Sequence, residues 1–512
     1  MKPNGSMSGK TCLATGANSG IFKAARFVPF VVLLALGCAP PEERELRMAY
    51  PYEIVTMDPH AHSDVVTRSV QSAVYEGLVY CEHGLPIRPW LADRWTTPDD
   101  TTWHLHVRED VRFHDGSPLT PEDVVASIGR ARSSKIVGHQ LDEIDQVRVL
   151  PGDDRMIEIT TNRPAPLLLT RLDSVAIVPR SFDPLQPVGT GPYEWRLGST
   201  RGPILLQRWA GYWGQTVDFS ELTIHFVSDL DRLGELLHQN KLDVVTSVTV
   251  SYVRDHDPHA AWRVVASPAV TTTYLALNVS KPPLDDLRVR QAVDLAIDRG
   301  SLVASVFPEG TAERARSIVP PEIFGFSPDQ RRGDADPARA RELIELAGLE
   351  PGIPLRIDYA ERYSEMMGPL ADFLTDVGFQ VETTAHRYDE FYRRVEEASS
   401  QAYVFSWTYR IADASTFLDS IAHSRDSQRG LGALNGTSYS SPSLDGLIDQ
   451  AGHEPRSDLR LRRLQDALAK LDSSSVLLPL LRPSNLALVR DEYVIESHPT
   501  AVVRPQDVHP RR

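Results

Sequence analysis

Hydrophobic and polar positions alternate over Thr102–Arg108 (TWHLHVR), and Thr273–Val279 carries bulky residues in the same two-residue rhythm, so both segments are predicted as strands. Elsewhere the period lengthens. Thr120 stands at a helix N-cap, Pro121 at the first helical position and Glu122 and Asp123 in the first turn, ahead of apolar Val124, Val125 and Ile128. Across Asp285–Arg299, Val289, Ala292, Val293, Ala296 and Ile297 fall on one helical face. A third helix is expected from Asp336-Pro337 to Ala347, closed by Gly348. Asp115-Gly116 reads as a tight turn, with glycine supplying a positive φ, and Gly189-Thr190-Gly191-Pro192 as a bend that feeds a strand. Strands and helices alternate without a repeat period, which indicates an α/β chain of more than one lobe.

At 512 residues the chain exceeds the size at which one core usually stops growing. Hydrophobic residues make up 41% and charged residues 24%, which argues against a mainly disordered or multi-span membrane protein. The formal charge of −15 has the wrong sign for a general phosphate-backbone binder, so no nucleic-acid partner is expected.

The N-terminus reads as an address. Lys23 and Arg26 precede the apolar run Phe27–Leu36, too short for a permanent membrane span but suited to a secretory leader over residues 1–37. Leu34-Ala35-Leu36-Gly37-Cys38 resembles the lipobox of bacterial lipoproteins, which implies that Cys38 becomes the first mature residue and carries a lipid anchor. Ala35 and Leu36 depart from the usual branched-then-small pair, and the stretch before Lys23 is long, leaving Met7 or a later start open. Residues 38–45 then form a proline- and charge-rich tether. With Cys12 in the leader and Cys38 at the cleavage point, only Cys81 remains in the body, so neither an internal disulfide nor a cysteine-based zinc site is expected.

A series of ordered segments carries a wider resemblance. It runs from Met57-Asp58-Pro59-His60 through Val74–Val79 and Pro89–Trp95 to the dense stretch Val107–Val124, then Gly189–Tyr193, Gly211–Gly214, Asn278 with Pro282-Pro283, and Asp286–Arg299. Together these resemble the extracytoplasmic solute-binding proteins of ABC importers, family 5, the class that contains oligopeptide, dipeptide and nickel binders. The resemblance implies a two-lobed α/β fold of the periplasmic-binding-protein type, with an extra subdomain on the first lobe and a hinge between lobes. Lobe I is expected over 46–75, 188–275 and 486–512, its subdomain over 76–187, and lobe II over 276–485. The function implied is capture of a peptide-like solute in the interlobar cleft, and its delivery by a membrane-tethered monomer to an ABC permease. No cofactor and no catalytic group are needed for that task.

In peptide binders of this class a lobe II tryptophan is followed three residues later by an aspartate that pairs with the peptide α-amine. The tryptophan matches Trp407, but the third position on is Arg410. A cation does not hold an ammonium group, whereas its planar fork suits carboxylate, phosphate or sugar hydroxyls. Arg410 therefore stands either as a ligand residue or as a structural ion-pair partner, and an acidic or non-peptide solute competes with a peptide. Asp413 reads first as a helix N-cap, with replacement of the missing acid as the alternative. Trp407, Tyr409 and Tyr274 are candidates for cleft walls or, equally, for core packing. The histidine pairs His60/His62 and His104/His106 lack a third ligand at a metal-site spacing, so no metal is assigned. A ligand sensor and an exported hydrolase are the rival classes; the second lacks a Gly-x-Ser-x-Gly elbow, a His-Glu-x-x-His helix and a phosphate-binding loop.

Overall fold

The computed structural model describes residues 44–81, 87–255, 261–329, 332–496 and 503–511. The leader, Cys38 and the tether up to residue 43 lie outside them. Among the described residues no helix is long and apolar enough to cross a membrane.

One long strand, Leu477–Arg490, organises both lobes. Its C-terminal half pairs with Trp262–Pro268 and Val244–Val245. From there the first-lobe array continues through Glu45–Tyr50 and Glu221–Phe226, which run parallel, to Ile204–Arg208 and Tyr193–Leu197. Its N-terminal half pairs with Thr271–Leu277, followed by Ala402–Thr408, Ile353–Ala360 and Phe379–His386, the last three mutually parallel. The chain thus leaves the first array between Pro268 and Thr271 and returns within the long strand near Pro483 and Ser484.

Alternation along Thr271–Leu277 sends successive side chains to opposite faces, and each face has its own core. Leu275 and Leu277 join Val289, Val293, Leu355 and Leu370, while Tyr274 and Ala276 join Phe391, Tyr403, Phe417 and Leu464. A separate four-stranded sheet, in the order Ala92–Asp99, Thr102–Val107, Met156–Thr161, Ile144–Val149, packs beneath the helix Pro121–Arg132 with a core of its own. That helix begins with a reciprocal capping box between Thr120 and Asp123, as its sequence signals.

The small sheet is joined to the first lobe through Glu76. This buried carboxylate accepts from Trp90 Nε1 (2.8 Å) and Tyr212 Oη (2.9 Å) on one oxygen, and from Thr190 Oγ1 (2.8 Å) and Trp213 Nε1 (2.9 Å) on the other. Thr190 reaches it because the flanking glycines let the bend before Tyr193–Leu197 touch the turn after the helix Val65–Gln71: a Cβ on Gly189 would stand 2.0 Å from the Val74 carbonyl oxygen, and one on Gly191 2.5 Å from that of Ala73.

Candidate functional site

A cavity of about 930 Å³ opens where the strand pair Thr271–Leu277 and Ala402–Thr408 meets residues of the first lobe and its subdomain. Its floor is a ladder of hydroxyls. Thr271 Oγ1 and Thr408 Oγ1 lie 2.8 Å apart, Thr273 Oγ1 and Ser406 Oγ 2.7 Å, and Tyr363 Oη donates to Ser406 at 2.8 Å. The antiparallel register puts Thr273 opposite Ser406 and Thr271 opposite Thr408, so the pleat itself assembles the ladder on one face. Trp407, Tyr363, Tyr388 and Tyr392 supply aromatic wall. Trp407 packs edge-on to Phe417 (5.8 Å between centroids), and its indole nitrogen is buried with no hydrogen-bond partner among the described residues.

Charge enters from several directions. Arg410, just past the strand, is exposed, and its Nη1 donates to the Ser63 carbonyl of the first lobe at 2.8 Å. Arg68, on the helix Val65–Gln71, protrudes into the same space, open to the cavity yet surrounded by protein. Burial lowers the pKa of its guanidinium; Asp173 opposes that shift and Arg410 adds to it. Asp173 accepts from the Cys81 amide at 3.0 Å and is itself pushed up by burial. Arg362 lies over the rings of Tyr363 and Tyr388, 4.9 and 5.2 Å from their centroids. Asp419 also faces the cavity, and burial, reinforced by Asp413, pushes its carboxyl up to about 6 against His423, Arg171 and Arg460.

Of the residues singled out in the sequence, Trp407 and Arg410 line this cavity together. Tyr274 and Tyr409 do not. Both are fully buried on the face away from the hydroxyl ladder, Tyr274 against Phe405 and Phe417, and Tyr409 against Phe417 with its hydroxyl on the Ile318 carbonyl at 2.9 Å. Asp413 borders a neighbouring hollow. It accepts from the Ser415 amide (2.9 Å) but stands one residue ahead of Ala414, the actual N-cap of the short helix Ser415–Phe417, so it is not the N-cap expected from the sequence, and it is held by Arg460. Arg68, Arg362 and Asp419 were missed, since each comes from a distant segment and none sits in a recognisable motif.

The histidine pairs are spoken for. His60 Nε2 meets the Ala176 carbonyl (2.9 Å) and its Nδ1 the Arg130 guanidinium (2.8 Å); His62 bonds Gln71, His104 Glu158 and His106 Asp93. Burial lowers His60 to about 4. Among the described residues no group of three or more His, Cys, Asp or Glu side chains is placed to hold a metal ion.

Comparison with known proteins places this geometry in context. The model of the bacterial extracellular solute-binding proteins, family 5 Middle, matches residues 86–429. The dipeptide-binding protein of Escherichia coli K12 is 25% identical over 404 residues, covering 70% of this chain and 74% of the relative. The glutathione-binding protein GsiB of Salmonella typhi is 26% identical over 384 residues, again 70% and 74%. Among solved structures, the ABC transporter substrate-binding protein CtaP of Listeria monocytogenes superposes with a TM-score of 0.82 at 18% identity, covering 91% of this chain and 99% of that one. The murein tripeptide-binding protein MppA, in its unliganded open form, gives 0.79 at 20% identity, covering 92% and 98%. Both superpositions show the shared two-lobed fold.

Proposed function

The chain belongs to the bacterial extracellular solute-binding proteins of family 5, and from that membership we propose that it is the capture component of an ABC importer, taking a peptide-like solute into the cavity between its lobes. The observation that carries the reading is the meeting of the lobes over one cavity: the second lobe contributes the Thr271–Thr408 and Thr273–Ser406 hydroxyls, Trp407 and Arg410, the first contributes Arg68, and Arg410 already reaches the Ser63 carbonyl. A solute touching both lobes gains those contacts only when they are together, so binding raises the closed population, the form a permease can distinguish.

Trp407 and Arg410 contact solute in this proposal, with Tyr274, Tyr409 and Asp413 holding the wall behind them. Hydroxyls orient and aromatic faces contribute area; no step makes or breaks a bond. Cys38 anchors the chain to the outer face of the cytoplasmic membrane, and the chain works as a monomer.

Thermal melting of the protein with di- and tripeptides, glutathione, sugars and nickel salts tests the assignment. A solute at a hundredfold excess over its Kd stabilises the native state by about 2.7 kcal/mol, a readily measured rise in Tm. A flat response across all classes, or steady turnover of a peptide, overturns it.

A further inference from the structure

The charges facing the cavity are unbalanced in a way that identifies what the solute presents. The chain as a whole is acidic, at −15, yet the guanidiniums of Arg68, Arg362 and Arg410 face the cavity with no carboxylate within ion-pair distance among the described residues. Arg171, which also borders it, is different: it is neutralised by Glu143. The acids on the opposite side of the ledger are Asp173 and Asp419. Burial pushes both up, and even with both ionised the three unpaired guanidiniums outnumber the two acids, so the lining keeps a cationic excess. His139 is the remaining titratable side chain of the lining besides tyrosines and Cys81.

Arg68 and Arg410 form the focus. Both border the adjoining hollow as well as the main cavity, and Arg410 is close enough to act on the charge of Arg68. Among the described residues, Arg410 commits one of its five N–H donors, to the Ser63 carbonyl, and no hydrogen bond occupies the Arg68 guanidinium. Two like charges in a partly enclosed space, with donors to spare, are stabilised by an anion between them, and a guanidinium fork matches a carboxylate in geometry as well as charge. An ammonium brought to the same place meets two positive groups. Arg362, over the rings of Tyr363 and Tyr388 and donating to the Tyr363 hydroxyl at 2.9 Å, is a third cation on the cavity wall.

Resting on the solute-capture reading above, we infer that this cavity selects solutes by an anionic group, a carboxylate seated between Arg68 and Arg410, and takes net-anionic peptide-like solutes in preference to those whose only charge is a free amine.

Calorimetric titration of the full chain with three forms of one backbone tests this: N-acetyl-trialanine, an anion; trialanine, a zwitterion; and trialanine amide, a cation. The expected order is acetylated acid tightest and amide weakest, with at least a tenfold difference between these extremes. Arg68→Ala and Arg410→Ala each erase most of that difference while the unliganded protein still melts cooperatively, and Arg410→Lys, which keeps the charge without the fork, falls between wild type and Arg410→Ala. Binding of the amide as tight as that of the acetylated acid, or a preference unchanged in the Arg68→Ala/Arg410→Ala double variant, overturns the inference and leaves solute capture standing. Binding of none of the three removes peptide-like capture and the inference with it.

Discussion

Asp413 and Arg460 close on each other through two parallel bonds, Oδ2 to Nη1 at 2.5 Å and Oδ1 to Nη2 at 2.8 Å, with both side chains about 5% exposed. Arg460 also donates to the Ala451 carbonyl (3.1 Å) and to Ser415 Oγ (3.0 Å), so the pair ties the segment after Arg410 to the helix Ser457–Ser473. Removing either partner strands a buried charge. Asp413→Ala and Arg460→Met are each expected to cost about 3–5 kcal/mol in urea unfolding, and the double substitution less than the sum. Additive losses would show that the two side chains act independently.

Glu76 offers a sharper test of hydrogen-bond accounting. In Glu76→Gln, whichever way the amide turns, its NH₂ meets one indole N–H and one hydroxyl. The hydroxyl can rotate to accept; the indole cannot. A stranded indole donor is expected to lower stability by about 2 kcal/mol at neutral pH. Burial raises the folded-state pKa of Glu76, so its ionised form costs stability above that pKa, and the cost disappears as pH falls past the unfolded value. A gain in stability from the glutamine at pH 7 would mean that desolvation of the charge outweighs the four bonds.

Asp419, on the cavity wall, titrates inside the ordinary range. Its folded pKa of about 6 lies above the 3.8 of the unfolded chain. The ionised form is therefore the unfavourable one, its cost complete above pH 6 and absent below about 4. Asp419→Asn is expected to raise stability by about 1–2 kcal/mol at pH 7.5, discounted for contact with cavity water, and by almost nothing at pH 3.5. Melting curves at the two pH values decide it, and a gain of equal size at both would place the effect in packing.

The bond from Arg410 to the Ser63 carbonyl joins the two lobes directly. An exposed contact of this kind stabilises by up to about 1 kcal/mol, enough to shift a two-state opening equilibrium roughly fivefold. Small-angle scattering of unliganded Arg410→Ala is expected to show a larger radius of gyration than wild type, and equal radii would leave the bond without influence on opening.

Local signals carried much of the fold. Thr120-Pro121 with Asp123 starts the helix Pro121–Arg132, and Gly116 adopts φ +85° at its turn. The stretch Asp285–Arg299, read as one helix, breaks at Ile297 because Asp298 turns its carboxylate onto the Gly300 and Ser301 amides and begins a second helix, Arg299–Val306. Periodicity continues across that break, so apolar spacing alone hides it. For the cavity, Trp407 and Arg410 were legible through the family resemblance, which implies a tryptophan followed three residues later by a ligand-facing position. The burial of Tyr274 and Tyr409 was not, since sequence does not say which residues Phe417 and its neighbours cover once the chain packs. Arg68, Arg362 and Asp419 are brought together only by the tertiary fold.

The long strand Leu477–Arg490 belongs to both lobes at once. A chain cut at either crossing leaves one half lacking a strand that its partner sheet requires, so the halves are not separable modules that a gene fusion can exchange. Any swapping of cavity walls between relatives has to exchange loops and leave this backbone whole.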